Sequence, residues 1–191
     1  MPIWVEFVGL GLTAFSAAGV FLAAPTLLHI FFGGPKLNTR FDVDVDPRNG
    51  HRLLVVFLEN LPAAKWLRRL AVVKRDTIQS LTATFQIYHV DTRSLTVDVH
   101  QARIHSDSDS TDLGRERIAL PPTYSVAATF EVAKWNPDNG RAEVPPTRTR
   151  ASVPLNPGTY EARIALIVDG TPDMQVRLFS VGRSAADLEW Q

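Results

Sequence analysis

The chain has 191 residues, no cysteine, and equal numbers of basic and acidic residues, 20 of each. The missing thiols exclude disulfide bonds, thiolate catalysis and cysteine-ligated metal sites, and the balanced charge provides no net field that would attract nucleic acid. The length allows one domain of ordinary size with a short appendage.

The appendage is the N-terminal segment, which is almost free of charge. Every Lys and Arg lies at position 36 or later, and Glu6 is the only acidic residue before that point. The apolar run 7–32 spans about 26 residues, or a little under 40 Å of helix, which exceeds a hydrocarbon core of about 30 Å. It therefore predicts one transmembrane helix, with Pro25 producing a kink near Phe21. Its aromatic and proline positions are Phe7, Phe15, Phe21, Pro25 and Phe32.

Two features favour a retained anchor over a cleaved signal peptide. The first six residues contain no Lys or Arg, and the apolar run is longer than the usual signal segment of about 7 to 15 residues. Lys36, Arg40, Arg48 and Arg52 all follow the span. The positive-inside rule then places the C-terminal side in the cytoplasm, and an extracytoplasmic location stays open as the alternative.

From residue 37 onward the pattern is an alternation of apolar and polar residues, which is typical of strands with one buried face. Phe41, Val43 and Val45 alternate with aspartates, and a more continuous apolar run occupies 51–60. Seven or eight such segments predict an antiparallel sandwich. The residues expected on the inner faces of the later strands are Leu81, Ala83, Phe85, Ile87, Leu95, Val97, Val99, Val126, Ala128, Phe130, Val132, Tyr160, Ala162, Ile164, Leu166 and Val168.

One segment, 60–77, interrupts the strand pattern and contains the densest basic cluster in the chain. It predicts a short helix over about 63–71. Two interpretations stay open for this segment: a patch that contacts anionic lipid or a partner, or a helical connection that caps the sandwich with its charges in water. The patch residues are Lys65, Trp66, Arg68, Arg69, Lys74 and Arg75.

Two acidic or histidine-containing stretches are candidates for metal binding. Asp42, Asp44 and Asp46 resemble the start of a calcium loop, but Pro47 stands where such a loop has glycine. The same aspartates suit the solvated face of an edge strand. His100 and His105 are five positions apart, which places them on opposite sides of a strand. No catalytic motif with its required spacing occurs in the sequence, so we expect no enzyme activity, cofactor or metal.

The stretch LNPGTYEARIALIVDG, 155–170, contains a Pro-Gly turn, a Tyr at the start of a long alternating strand, and a tight turn at its end. It is similar to the final strand pair of immunoglobulin-like and fibronectin type III-like sandwiches. The resemblance implies that Tyr160 forms a corner with upstream backbone, and the missing disulfide limits the likeness to the wider architecture. It implies no activity.

The sequence as a whole predicts an all-β, antiparallel immunoglobulin-like sandwich of about seven or eight strands, preceded by one N-terminal transmembrane helix. The expected domains are 1–35, the helix and linker, and 36–191, the sandwich with a helical insertion near 63–71. We expect a single-pass membrane-anchored interaction or scaffold subunit whose partners are the lipid bilayer and another membrane protein or itself. The alternative is an extracytoplasmic immunoglobulin-like module that recognises a surface or envelope ligand.

Overall fold

The computed structural model describes residues 28–29, 32–46, 50–65, 75–106, 114–122, 128–147 and 150–191. The chain divides into two compact units, one made of 1–36 and 61–76, the other of 37–60 and 77–191. The larger unit consists of antiparallel strands in two sheets, which confirms the predicted all-β antiparallel sandwich.

Twelve strands lie within the described residues of the larger unit. In chain order they are β1 (Leu37–Val45), β2 (Arg52–Asn60), β3 (Ile78–His89), β4 (Ser94–Val99), β5 (His105–Ser106), β6 (Ile118–Leu120), β7 (Ala128–Asn136), β8 (Arg141–Val144), β9 (Val153–Leu155), β10 (Gly158–Val168), β11 (Thr171–Val181) and β12 (Glu189–Trp190). Sheet A has the order β1-β2-β7-β8-β9, with β5 also paired to β7. Sheet B has the order β12-β11-β10-β3-β4, with β6 also paired to β3. The predicted count is lower because β5, β6, β8, β9 and β12 are too short to produce a visible alternation.

The hydrophobic core lies between the inner faces of the two sheets. Alternation places these side chains inward, and burying each large aliphatic or aromatic one contributes about 1.5–3 kcal/mol. The predicted inward residues that are buried are Leu81, Ala83, Phe85, Ile87, Val97, Val99, Ala128, Phe130, Val132, Tyr160, Ala162, Ile164 and Leu166. Val168 is partly buried against them, and Val126 lies outside the described residues.

The inward prediction for Leu95 is wrong. The register between β3 and β4 shifts so that Ile87 lies opposite Val97 but Tyr88 lies opposite Leu95. An extra residue in β4, a β-bulge, reverses the face on which the next side chain appears. Leu95 is therefore on the outer face of sheet B and 49% exposed.

The tyrosine corner predicted for Tyr160 is confirmed. The hydroxyl of this buried side chain donates a hydrogen bond of 2.8 Å to the backbone carbonyl of Asn156, four residues upstream. Burial is the main cause that raises the pKa of the Tyr160 hydroxyl above its usual value. The hydroxyl consequently keeps its proton and its role as donor across the physiological range.

The last strand joins the edges of the two sheets. The ring of Trp190 on β12 makes T-shaped contacts with Phe41 of sheet A and Phe179 of sheet B. Its centroid lies 5.2 Å from that of Phe41 and 5.8 Å from that of Phe179. Its indole N–H donates to the backbone carbonyl of Asp42 at 2.9 Å. One side chain thus ties β1 to β11 on the same side of the sandwich.

Short pieces of chain hydrogen-bond to one another in the smaller unit. The N–H of Asp76 donates to the carbonyl of Gly33 at 2.7 Å, and Nη1 of Arg75 donates to the carbonyl of Gly34 at 2.8 Å. Residues 75 and 76 are thereby attached to residues 33 and 34.

The predicted membrane span is covered only at its end by the described residues. Phe32 is helical and 43% exposed. Phe7, Phe15, Phe21 and Pro25 lie outside the described part of the chain. Within that part, none of the helices combines the length and the apolar character that crossing a bilayer requires.

Replacing Tyr160 by Phe removes the corner hydroxyl and leaves the buried ring in place. We expect the free energy of unfolding to fall by about 1 kcal/mol, because one intramolecular hydrogen bond is lost. Urea denaturation of the full-length protein in mild detergent measures this change. Tyr88→Phe is the matched control, since its half-buried hydroxyl donates to the side chain of Gln86 at 3.0 Å. A loss in Tyr160→Phe no larger than in Tyr88→Phe would contradict a stabilising role of the corner.

Candidate functional site

Both sheets are open and end in an edge strand on the side where Trp190 lies. β1 is the edge of sheet A, and β11 is the edge of sheet B over most of its length, because β12 pairs only with Phe179 and Ser180. Edge strands present unpaired backbone groups that recruit other strands, so proteins usually protect them. The two edges of this protein differ in that protection.

The outward-facing N–H groups of β1 can be identified from its hydrogen bonds. The N–H of Asp46 donates to the carbonyl of His51 at 2.8 Å, towards the start of β2. Backbone N–H groups alternate in direction along a strand, so those of Val43 and Val45 point to the open edge.

Aspartate side chains of the same strand bond these two groups. Oδ1 of Asp42 accepts from the N–H of Val43 at 2.9 Å, and Oδ1 of Asp44 accepts from the N–H of Val45 at 2.8 Å. Both carboxylates are exposed. Two of the three aspartates that resemble a calcium-loop start, Asp42 and Asp44, therefore cover part of an edge. Across the described ranges no group of three or more His, Asp or Glu is placed to hold a metal ion.

The backbone direction along β11 follows from its hairpin with β10. Asp169 and Gly170 form a two-residue turn with φ of 48° and 86°, the left-handed values that a type I′ turn requires. Val168 and Thr171 close this hairpin as opposed residues. The closing pair of such a hairpin is hydrogen-bonded, so odd-numbered residues of β11 bond to β10 and even-numbered ones turn outward. The N–H of Gln191 donates to the outward carbonyl of Leu178 at 2.9 Å, as this alternation requires.

The even-numbered residues of β11 also place large apolar side chains in water. Met174, Val176 and Leu178 are 60%, 53% and 38% exposed, and we call these three residues the β11 row. They lie on the outer face of sheet B, since the odd-numbered residues are opposite the buried positions of β10. No strand in the described ranges pairs with the outer edge of β11 before the β12 contact.

The odd-numbered residues of the same stretch are polar. Nε2 of Gln175 donates to both carboxylate oxygens of Asp173, at 3.3 and 3.2 Å. The guanidinium of Arg177 lies 5.0 Å from the centre of the Phe41 ring, a cation–π contact. β11 therefore presents an open edge with an apolar outer side and a charged inner side.

A small cleft opens beside β7, between its pairings with β5 and β8. Its volume is about 180 Å³, which is smaller than the roughly 300–1,000 Å³ typical of ligand pockets. Burial raises the pKa of the Glu131 carboxyl, and the neighbouring charges of His105 and Lys134 oppose that shift. The lining residues are Phe85, Ala102, Arg103, His105, Glu131, Lys134, Pro145, Pro146 and Thr147. This grouping was not predicted from the sequence, because Glu131 and His105 are brought together only by strand pairing.

The structure describes only part of the predicted basic patch. Lys65 is helical and exposed, and Arg75 is half-buried and bonded to the Gly34 carbonyl. Trp66, Arg68, Arg69 and Lys74 lie outside the described residues, so the patch stays a prediction. Of the two histidines predicted not to share a metal, His105 lines the cleft, and His100 is exposed with Nε2 3.8 Å from a carboxylate oxygen of Asp98.

Comparisons of the chain with protein-family models, with curated proteins and with solved structures find no match. The interpretation of the site therefore rests on its own geometry.

Replacing Asp42 and Asp44 by Ala releases the outward N–H groups of Val43 and Val45. We expect full-length protein in detergent to aggregate several-fold faster on warming, because an unprotected edge pairs with other strands. Light scattering against time measures the rate. A variant with Asp91→Ala and Asp138→Ala removes the same charge from two exposed turns. Equal aggregation rates for the two double variants would show that charge alone, not the bonding of the edge, is responsible.

Proposed function

We propose that this protein is a single-pass membrane protein whose β-sandwich acts as an interaction subunit and docks its partner along β11. The observation that carries this proposal is the β11 row. Its three exposed apolar side chains lie on a strand whose outward backbone groups are unpaired among the described strands before Leu178. Apolar side chains and open backbone at one place are the features that strand addition uses for affinity and specificity.

The contrast between the two edges supports this assignment. At the end of β1 nearest Asp46, carboxylates of the strand bond the outward N–H groups of Val43 and Val45, whereas β11 combines open backbone with apolar side chains. An edge that merely had to stay soluble would be protected in the way that β1 is. The difference favours a docking role for β11 and a protective role for the aspartates of β1.

The apolar sequence 7–32 supports the membrane attachment in this proposal. Attachment confines the sandwich and a membrane-bound partner to a surface and raises their effective concentration, so a small contact suffices for association. The basic residues after the span favour a cytoplasmic sandwich. The second candidate, an extracytoplasmic module that recognises a surface or envelope ligand, uses the same β11 edge on the opposite side of the membrane.

Alkaline carbonate and protease treatment test the attachment and its orientation. We expect the full-length protein to stay with the membrane pellet in alkaline carbonate, because a spanning helix is held by apolar burial. We expect protease added to intact cells to leave the sandwich undigested. The same protease should digest it once the cells are lysed. Digestion in intact cells would instead favour the extracytoplasmic candidate, and release by carbonate would refute the anchor.

A lysine placed in the β11 row tests the docking surface. Val176→Lys introduces a charge that blocks strand addition, and we expect crosslinked adducts of the protein in native membranes to fall at least about tenfold. Val45→Lys is the matched control, since Val45 is the same residue type with the same exposure, 53%, on the protected edge. Adducts unchanged in Val176→Lys, or reduced equally in both variants, would refute docking through β11.

A further inference from the structure

We infer that the partner on the β11 edge is a second copy of this chain, paired antiparallel through β11 about a two-fold axis at Gln175. The two B sheets would then form one continuous sheet. This inference rests on the proposed docking role of β11 and names its occupant. It is argued from the self-complementary order of residues along 173–177.

The residues on the two sides of Gln175 are chemically complementary when β11 is paired antiparallel with itself. Antiparallel pairing about this residue places Asp173 opposite Arg177 of the second copy, and by symmetry this ion pair occurs twice. Met174 lies opposite Val176. Opposite charges and apolar side chains that face each other across strands each stabilise a sheet, by about 0.2–1 kcal/mol per pair.

The direction of the backbone groups limits the other registers. Only even-numbered residues of β11 turn outward, so hydrogen-bonded pairs between copies must join even-numbered residues. An axis at residue 173 would place Asp173 opposite itself, and an axis at residue 177 would place Arg177 opposite itself. An axis at 174 or 176 pairs a charged residue with Gln175. The axis at Gln175 alone pairs each charge with its opposite.

Gln191 limits the length of the paired segment. Its N–H donates to the outward carbonyl of Leu178 at 2.9 Å, so residue 191 occupies the edge position opposite Leu178. Pairing that continued to Pro172 would displace Gln191 and break this hydrogen bond, so the segment paired between copies is 173–177. Within it Met174 and Val176 of opposite copies exchange both of their backbone bonds.

The charged residues make this edge selective. An unrelated apolar strand added to β11 would leave Asp173 and Arg177 without partners of opposite charge in the added strand, which disfavours it. Gln175 orients the Asp173 carboxylate, and the Phe41 ring orients the Arg177 guanidinium. Because these two side chains are already ordered, association costs them little conformational entropy. Asp173 and Arg177 thus disfavour pairing with unrelated strands, and they find partners of opposite charge in only one register of a second β11.

Charge reversal at the two positions tests the inference with the full-length protein in mild detergent. Asp173→Arg places like charges opposite each other, and we expect the dissociation constant of the dimer to rise about tenfold or more by concentration-dependent light scattering. Arg177→Asp should act in the same way. An equimolar mixture of the two variants restores both opposite-charge pairs, so it should form heterodimers with affinity near that of the unmodified chain. A mixture that stays monomeric would overturn the inference.

A single cysteine tests the register independently of the charges. The chain has no cysteine of its own, so Gln175→Cys supplies the only thiol. Non-hydrogen-bonded antiparallel neighbours have Cα atoms about 4.5 Å apart, within the roughly 4.4–6.8 Å that a disulfide bridges. Mild oxidation should link Gln175→Cys into dimers and leave Thr171→Cys, on the same strand and face, as monomer. No disulfide in Gln175→Cys, or equal linkage of both variants, would refute this register.

The outcomes separate this inference from the proposed function. Self-pairing is overturned if the unmodified protein stays monomeric at every concentration and its membrane adducts contain other proteins. The docking role still holds in that case if Val176→Lys abolishes these adducts. Membrane adducts that Val176→Lys leaves unchanged refute the docking role itself. Adducts made of two copies, lost in Val176→Lys and in Asp173→Arg, support both.

Discussion

An open β-sandwich must leave strands at the edges of its sheets, and the backbone groups of those strands need partners. This constraint explains the different chemistry of the two strands that meet at Trp190. On β1, Asp42 and Asp44 bond the outward N–H groups of Val43 and Val45. On β11, apolar side chains and open backbone occur together, and we propose that another strand covers them. In this proposal, solubility and recognition are properties of opposite sheets on the side of the sandwich where Trp190 lies.

The packing of Trp190 is what brings these two edges together. Its ring contacts Phe41 and Phe179, and its N–H bonds the backbone of Asp42, so both sheets are held at their open side. Phe41 also supports the Arg177 guanidinium. The same aromatic cluster that stabilises the sandwich therefore orients a charged residue of the proposed docking edge.

Sequence alternation predicted the inner faces of β3, β7 and β10, since one buried face imposes a period of two. It did not predict the outward position of Leu95, which depends on a bulge in the pairing with β3. The site was not predicted either. In β11 the apolar positions change from even to odd numbers between Leu178 and Phe179, and this switch was a usable signal. The Glu131 cleft left no comparable signal, because it forms from distant strands.

The central pairings of both sheets join strands that are far apart in the chain. β2 pairs with β7, and β3 pairs with β10, whereas the β10–β11 hairpin needs only a two-residue turn. Loop closure opposes the distant pairings, so a topology of this kind folds slowly, on the order of milliseconds to seconds. Hairpins form in about 1–10 μs, so we expect the β10–β11 hairpin to form before β3 docks. In such a hairpin β11 is open on one side and β10 on the other, and both strands are then exposed to pairing with another chain.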